Sequence, residues 1–302
     1  MKKFKIIPQT DDSELTFEIT DEIQLLPFLL DALASRGRNS VKSILSRGQV
    51  SVNNIVSTQH NDQLSQGDVV RILKNQVAKR KERLIGLDII YEDSHIIVIN
   101  KSAGLLSVAT NKGKELTAHG ELMKYVRDKD KQNRIYVVHR LDRDTSGVMM
   151  FAKNKSIQER LQNAWDEMVT ARTYIALVHG KVKQEKGYVS SWLKENKAFH
   201  VYSTQNKNDG LYAMTLYNVI RKNRDFSLLQ VELKTGRKNQ IRVHMQDMGH
   251  PVVGDKKYGG RGNPIKRLGL HAKKLEFMHP VKKEKMSFEA ETPSIFYTKV
   301  PS

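Results

Sequence analysis

The sequence predicts an α+β fold, in which a small α/β domain precedes a largely antiparallel, mixed β-sheet flanked by helices. Apolar runs of strand type recur along the chain with short polar turns between them, as in the hairpin over 89–101. Apolar residues at helical spacing are restricted to a few segments. A polar, basic stretch without an apolar face begins at residue 75. We therefore predict a small domain over 1–74, a linker over 75–87 and a large domain over 88–302.

The small domain is predicted to contain short strands, two helices and a hairpin. Asp21 is the expected N-cap of the first helix, and Asn39 or Ser40 that of the second. Asn53 and Asn54 mark the turn of the hairpin that follows. The apolar residues at helical spacing are Ile23, Leu26, Leu30 and Leu33 in the first helix and Val41, Ile44 and Leu45 in the second.

Four basic residues gather around the second helix, namely Arg36, Arg38, Lys42 and Arg47. Two helices with basic residues, followed by a small β-turn unit, resemble an S4 RNA-binding domain over about residues 21–74. The likeness depends mainly on the run 40–53. The first helix departs from that pattern, because S4 domains usually open it with Arg-Leu-Asp and this chain has Ile-Gln-Leu-Leu-Pro at 23–27. The resemblance implies that the four residues contact RNA; a solvated basic helix on an ordinary small domain is the alternative.

The large domain is predicted to combine strands with two helices. The strands are the hairpin over 89–101 and the runs 135–138, 148–152, 171–178, 228–233 and 240–245, and the helices are 116–125 and 157–168. In the last strand a period of two places Ile241 on one side and Arg242 on the other. Arg242 is therefore expected on a polar face, where a carboxylate can reach it.

A polar loop rich in Arg, Asp, Ser and Gly connects the strands 135–138 and 148–152. Asp142 lies between two arginines, so we expect it to stay ionised. A carboxylate fixed among cations can act as a nucleophile or a base. Gly147 allows the backbone to return to the sheet without a side-chain clash. Considered alone, the loop is better explained as a turn in which Asp142 forms salt bridges with its neighbouring arginines.

The complete loop, His139-Arg140-Leu141-Asp142-Arg143-Asp144-Thr145-Ser146-Gly147, resembles the signature HRLDxxTSG of the RluA-type RNA pseudouridine synthases. The runs 171–178 and 236–244 resemble the second and third motifs of that family, and 101–104 resembles its opening Lys-Pro-x-Gly segment. Ser102 replaces the proline of that segment, and Lys238-Asn239 replace Thr-His in the third motif. The motifs follow the family order from about residue 88 to the end of the chain.

The resemblance assigns roles to three residues near the reaction. Asp142 would be the catalytic carboxylate, which either attacks the sugar or the uracil as a nucleophile or removes a ribose proton. Arg242 would pair with Asp142 and hold it ionised. Tyr174 would stack on the base, with removal of the C5 proton as a second role. For Tyr174 the residues alone leave open a core aromatic with a satisfied hydroxyl.

Two further residues would contact the RNA. Ile241 would form an apolar wall of the pocket. A uridine inside a stem or loop must be everted to reach such a pocket, and Arg140 would occupy the vacated space or hold a flanking phosphate. A structural pairing of Arg140 with Asp144 is the equal alternative.

Composition limits the classes of site and partner. The 302 residues carry 51 Lys+Arg against 33 Asp+Glu, a formal net charge of +18, which favours an RNA partner. The absence of cysteine excludes disulfides, zinc–thiolate sites, iron–sulfur clusters and thiol nucleophiles. The 10 histidines show no ligand spacing, so no metal is expected, and no cofactor either. Because the sequence has no signal-peptide pattern and no long apolar run, we expect a cytoplasmic protein with no membrane partner. We also expect a monomer.

The resemblance thus implies an isomerase that converts uridine in structured RNA to pseudouridine. Because S4-bearing members of the family often modify large-subunit ribosomal RNA, this RNA is the first expected substrate and transfer RNA the second. One alternative is a catalytically silent RNA-binding protein of the same fold. Another is a hydrolase that uses Asp142 with a second acid, although no paired-carboxylate pattern is found.

Overall fold

The chain divides into two compact units, Met1–Arg83 and Leu84–Ser302. The computed structural model describes residues 3–8, 14–73, 84–109, 115–207, 209–259 and 262–301. Most of the linker predicted over 75–87 lies outside these described residues, and its last residue, Leu87, already begins a strand of the larger unit. No helix in the described parts of the chain is long and apolar enough to cross a membrane.

The small unit combines two helices with a five-stranded antiparallel sheet of order β1-β2-β7-β4-β5, while β3 pairs with β6. Its elements are β1 (Phe4–Ile7), β2 (Glu14–Ile19), β3 (Ile23–Gln24), α1 (Leu25–Ala32), α2 (Arg38–Ser46), β4 (Val50–Val52), β5 (Ile55–Val56), β6 (Gln63–Leu64) and β7 (Val69–Leu73). In its core Phe4, Phe17 and Phe28 meet edge to face, with ring centroids 5.0 to 5.5 Å apart. Asn53 and Asn54 form the predicted hairpin turn, and both have the positive φ that a two-residue turn requires.

The predicted N-caps of both helices are wrong. Asp21 precedes β3, and the pairing of β3 with β6 delays the start of α1 until that strand ends. Helix α2 begins at Arg38, directly after Gly37, so Asn39 and Ser40 lie inside its first turn. Neither helix has a side-chain hydrogen bond at its N-cap.

The large unit is built on an 11-stranded sheet with the order β14-β13-β15-β16-β12-β17-β11-β9-β8, to which β10 adds beside β11 and β18 beside β17. Its elements are β8 (Leu87–Glu92), β9 (Ile96–Lys101), α3 (Ala118–Lys129), β10 (Tyr136–Val137), β11 (Ser146–Ala152), α4 (Lys155–Asn163), α5 (Trp165–Met168), β12 (Val169–His179), β13 (Lys186–Glu195), β14 (Val201–Thr204), β15 (Leu211–Lys222), β16 (Phe226–Leu233), α6 (Gln240–Asp247), β17 (Leu270–Met278), β18 (Lys285–Glu289) and α7 (Ser294–Tyr297). Every strand pair described in it is antiparallel except β11 with β17. The predicted α+β class with a mostly antiparallel sheet is confirmed. The helix predicted over 157–168 is interrupted at Ala164, which separates α4 from α5.

The predicted strand over 240–245 is wrong, because these residues form the first part of helix α6. Asn239 has left-handed backbone dihedrals and turns the chain into the helix. Gln240 and His244 both reach the hydroxyl of Thr215, one helical turn apart, and so share a buried face of α6. Over six residues the same apolar pattern fits the period of two of a strand and the period of 3.6 of a helix. In the helix, Arg242 points away from Gln240 and His244.

The one parallel strand pair in the described sheet, β11 with β17, requires a glycine. Ser146 lies opposite His271, and Gly147 lies opposite Ala272. Gly147 has φ 114°, and a Cβ atom there would lie 2.1 Å from the carbonyl oxygen of Ala272. Arg267 Nη2 donates a hydrogen bond of 2.6 Å to the Ser146 hydroxyl. The pairing of β11 with β17 fixes Ser146 and Gly147, where the polar loop that contains Asp142 ends.

The Gly147→Ala variant is expected to lose at least ~3 kcal/mol of unfolding free energy, because neither the dihedral nor the space beside Ala272 accepts a methyl group. Gly249→Ala is the matched control: Gly249 has φ 76°, but a Cβ atom there would meet nothing within 4 Å. It should lose only about 1–2 kcal/mol. Urea unfolding of the full chain measures both, and equal losses would contradict the argument.

Candidate active site

The structure brings Asp142 and Arg242 together from distant parts of the sequence. Asp142 lies in the loop before β11, and Arg242 lies in the first turn of α6. Arg242 Nη1 donates a hydrogen bond of 2.9 Å to Asp142 Oδ2. The predicted proximity of these two side chains is therefore present, although Arg242 lies on a helix and not on a strand.

A second carboxylate, Asp255, fixes the orientation of Arg242. Its oxygens accept hydrogen bonds from Arg242 Nε at 2.7 Å and Nη2 at 2.9 Å. The Asp255 side chain is fully buried and also accepts the backbone N–H groups of Lys257 and Tyr258. This two-point contact holds the guanidinium plane so that its remaining nitrogen, Nη1, faces Asp142.

One positive charge is thus shared between two carboxylates. Burial opposes ionisation of Asp255, but the hydrogen bonds and charge of Arg242 outweigh burial and lower the pKa of Asp255. Burial likewise opposes the charge on Arg242, yet Asp255 and Asp142 together raise the pKa of Arg242. The sequence prediction missed Asp255. The available signal was that it is the one acidic residue between Asp247 and Glu276 in a basic stretch.

Asn239, one of the two departures from the third motif, takes part in this arrangement. Its Oδ1 accepts a hydrogen bond of 3.1 Å from Arg242 Nη1, and its Nδ2 donates to the Tyr258 hydroxyl at 3.0 Å. The Tyr258 ring lies 5.0 Å from the Arg242 guanidinium carbon. The Asn239 side chain therefore connects Arg242 to the aromatic ring on which it packs.

A small pocket next to Asp142 is lined by the side chains that the sequence predicted for the base. Arg140, Asp142, Tyr174, Ile241 and Arg242 all line it, and Leu270 adds an apolar wall. Burial raises the pKa of Tyr174 to about 12, so its phenol stays protonated at neutral pH. A flat, neutral ring could be held in this pocket between apolar and aromatic walls.

A larger cleft, of about 620 Å³, opens from the same residues. Its cationic lining residues are Arg140, Arg143, Lys238, Arg242, Lys256, Lys257, Lys266 and Arg267, against the carboxylates Asp142, Asp144 and Asp255. Asp144 pairs with Arg143 at 3.0 Å, and the structure shows no ion pair between Asp144 and Arg140, both of which it describes. The exposed side chain of Arg140 lies where pocket and cleft meet. An excess of cations around a cleft suits a phosphate chain.

Comparison with known proteins identifies the family of this chain. The family model for RNA pseudouridylate synthases matches residues 95–247. An uncharacterized RNA pseudouridine synthase of Mycoplasma pneumoniae is 34% identical over 95% of this chain and 94% of its own length. The chain belongs to the RNA pseudouridine synthase family.

The synthase, an isomerase, has further relatives in bacteria and a similar fold among solved structures. The ribosomal large subunit pseudouridine synthase C of Vibrio cholerae is 33% identical over 87% of this chain and 87% of its own length. The structure of human RNA pseudouridylate synthase domain containing 1 superimposes with a TM-score of 0.57 at 25% identity, and covers 71% of this chain and 86% of that one.

Lys101, which the sequence marks only as part of a motif, supports the loop that contains Asp142 in the synthase. Its side chain is fully buried, and Nζ donates hydrogen bonds to the carbonyl oxygens of Ser102 at 3.0 Å, Leu105 at 2.7 Å and Arg143 at 3.0 Å. Burial lowers the pKa of Lys101 to about 8, against the opposing charges of nearby carboxylates. The signals for it in the sequence were its place in the segment 101–104 and its position at the end of a mostly apolar strand.

His139, the first residue of the signature, has a structural position in the synthase. Its Nε2 accepts the backbone N–H of Met150 at 3.0 Å, and its ring packs on Trp165 with centroids 4.9 Å apart. Burial and the neighbouring Arg172 guanidinium lower the pKa of His139 to about 3, so the ring is neutral. Among the described residues, no cluster of three or more metal-ligating side chains is present.

The basic residues predicted to bind RNA in the small unit are exposed, and they are Arg36, Arg38, Lys42 and Arg47. Arg38 and Lys42 lie one turn apart on α2 and share a face of that helix. Val41, Ile44 and Leu45 of the same helix are buried. The small unit thus presents a basic helix face to solvent.

Proposed function

We propose that this synthase converts specific uridines of structured RNA to pseudouridine, with Asp142 as the catalytic carboxylate. The observation that carries the proposal is the fixed geometry of Arg242, which Asp255 orients so that one N–H faces Asp142 beside a pocket walled by Tyr174 and Ile241. This arrangement supplies a charge-compensated carboxylate at the edge of a space suited to a flat base.

The reaction breaks the bond between uracil N1 and C1′, turns the base and rejoins it through C5. A carboxylate near the sugar is required for the first step, either as a nucleophile or to remove a ribose proton. Asp142 is the only acid among the described residues that line the small pocket, so it is also the nearest base for the C5 proton. Because Tyr174 is protonated at neutral pH, we assign it stacking on the detached uracil.

The everted uridine enters the small pocket while its neighbours stay in the larger cleft. Removing a base from its stack costs a few kcal/mol, and contacts between the cleft cations and the RNA phosphates offset this cost. Arg140 lies where pocket and cleft meet. There it can occupy the position left by the uridine or hold a flanking phosphate.

Large-subunit ribosomal RNA is the proposed substrate, with transfer RNA as the alternative. The name of the Vibrio cholerae relative supports this choice. So does the small unit, whose S4-like succession of helices and hairpin presents basic residues to solvent. We further propose that the synthase works as a monomer in the cytoplasm.

The test is to map pseudouridines in ribosomal and transfer RNA from a strain that lacks the gene, and then to incubate that RNA with the purified chain. The proposal requires a uridine that is unmodified in the deletion strain and becomes pseudouridine on incubation. Released uracil would point to a hydrolase, and bound but unchanged RNA to a silent binding protein.

Neutralising the basic face of α2 is expected to weaken RNA binding and reduce its salt dependence. For Arg38→Gln/Lys42→Gln we expect the slope of log K against log salt to fall by roughly 0.7–0.9 per lost phosphate contact. Fluorescence anisotropy with a ribosomal RNA fragment at several salt concentrations measures this slope. Lys155→Gln/Lys285→Gln removes the same charge from exposed positions of the large unit and should leave the slope nearly unchanged. Equal slopes for both double variants would contradict RNA binding by α2.

A further inference from the structure

An exposed phenylalanine occupies the tip of the hairpin between β13 and β14. The ring of Phe199 is 71% exposed, and its backbone has φ 58°, in the left-handed region. Asn196 stabilises this turn, since its side-chain oxygen accepts the N–H groups of Ala198 and His200 and its carbonyl accepts the N–H of Phe199. A left-handed conformation costs a non-glycine residue roughly 1–2 kcal/mol. An apolar ring held in that conformation and left in solvent contributes little to folding, which favours a functional role for it.

Two lysines connect Phe199 to the cleft. Lys238 Nζ lies 5.6 Å from the centre of the Phe199 ring, and Lys257 Nζ donates a hydrogen bond of 2.6 Å to the Phe199 carbonyl oxygen. Both lysines line the large cleft beside Asp142 and Arg242. Phe199 therefore lies beside the cleft, with the Lys238 ammonium near its ring and the Lys257 ammonium bound to its backbone carbonyl oxygen. Lys238 also forms an ion pair with Glu195.

The hairpin tip is also anchored to the support of the candidate active site. The His200 ring packs on Tyr258 with centroids 4.8 Å apart, and the backbone N–H of Val201 donates to the Tyr258 hydroxyl at 3.2 Å. Tyr258 is the ring on which Arg242 packs. The position of Phe199 is thus fixed relative to Arg242 by a short chain of contacts.

We propose that Phe199 stacks on an unpaired base of the RNA strand that leads to the target uridine, while Lys238 and Lys257 hold the phosphates on either side of that base. The inference rests on the proposed function for the identity of its ligand. An exposed aromatic ring beside lysines is a pattern with which proteins bind single-stranded RNA, because every base has a face to stack and every nucleotide a phosphate. The two ammonium groups favour a phosphate chain over an apolar protein surface beside the cleft.

The experiment compares two probes of equal length: an oligouridine of about 12 nucleotides and a sugar–phosphate chain without bases. We expect Phe199→Ala in the full chain to bind oligouridine roughly 5- to 20-fold more weakly and the abasic chain as the wild type does. Phe199→Trp should restore the oligouridine affinity. Tyr188→Ala removes another exposed ring, 65% accessible and on β13, and should change neither affinity.

Loss of affinity for both probes in Phe199→Ala, or for neither, overturns the stacking proposal, and so does equal loss in Tyr188→Ala. The binding measurement needs no turnover. If the wild type forms no pseudouridine but Phe199→Ala loses base-dependent binding, the proposed function fails and the stacking role stands. If the wild type modifies RNA and Phe199→Ala binds oligouridine normally, only the stacking role fails.

Discussion

The Asp142→Asn variant is expected to lose at least ~10³-fold in turnover while it binds RNA within a few fold of the wild type. Asparagine has the same shape, so the loop and the pocket persist, and its carbonyl oxygen can still accept the hydrogen bond from Arg242. What disappears is the negative charge, and with it both the nucleophile and the base. The side chain of Asp142 is 31% exposed, so replacing its charge with a neutral amide does not leave an uncompensated group in a fully buried position.

The measurement pairs the initial rate of pseudouridine formation with the RNA dissociation constant. Asp144→Asn is the matched control, because Asp144 lies in the same loop but forms a surface ion pair with Arg143. It should keep turnover within roughly tenfold of the wild type, since exposed ion pairs contribute little. Near-normal turnover in Asp142→Asn would refute the assigned role, and a comparable loss in Asp144→Asn would show that the whole loop, not one carboxylate, is being disturbed.

The residues alone predict the part of the site that one local run contains, and the family resemblance adds Tyr174, Ile241 and Arg242. Asp142, Arg140 and Gly147 belong to a single nine-residue loop, so their proximity needs no knowledge of the tertiary structure. Asp255 is different, because only the folding of α6 against the segment after it brings its carboxylate to Arg242. The separation of 13 positions between Arg242 and Asp255 does not by itself encode that contact, and a lone acid in a basic stretch is a weak signal.

The error at 240–245 has a physical cause and a limited consequence. An apolar residue at every second position over six residues satisfies a strand, but Ile241 and Met245 also lie on one face of a helix. The left-handed Asn239, which neither propensity nor periodicity reveals, decides for the helix. Arg242 still reaches Asp142, because residue 242 lies in the first helical turn, directly after the loop that enters the site.

The contact between Arg242 and Asp255 leads to the second large expected effect. In Arg242→Met the buried carboxylate of Asp255 loses its cation, and we expect a loss of about 3–5 kcal/mol in unfolding free energy together with loss of turnover. The double variant Arg242→Met/Asp255→Asn removes the unpaired charge while the asparagine still accepts the backbone N–H groups of Lys257 and Tyr258. It should therefore recover much of the stability but none of the turnover, which separates the structural role of the pair from the catalytic one.

The pH dependence of stability tests the contact between Arg242 and Asp255 independently. Because the pKa of Asp255 is lowered in the folded protein, its ionised form contributes stability above the ordinary value of 3.8, and that contribution is lost as the pH falls through the folded-state pKa. The difference in unfolding free energy between the wild type and Asp255→Asn should thus be full at neutral pH and shrink in acid. A difference that stays constant from neutral pH down to strongly acidic pH would mean that the charge of Asp255 does not hold Arg242. In that case the orientation of Arg242 toward Asp142 would have to come from Asn239 and the Tyr258 ring.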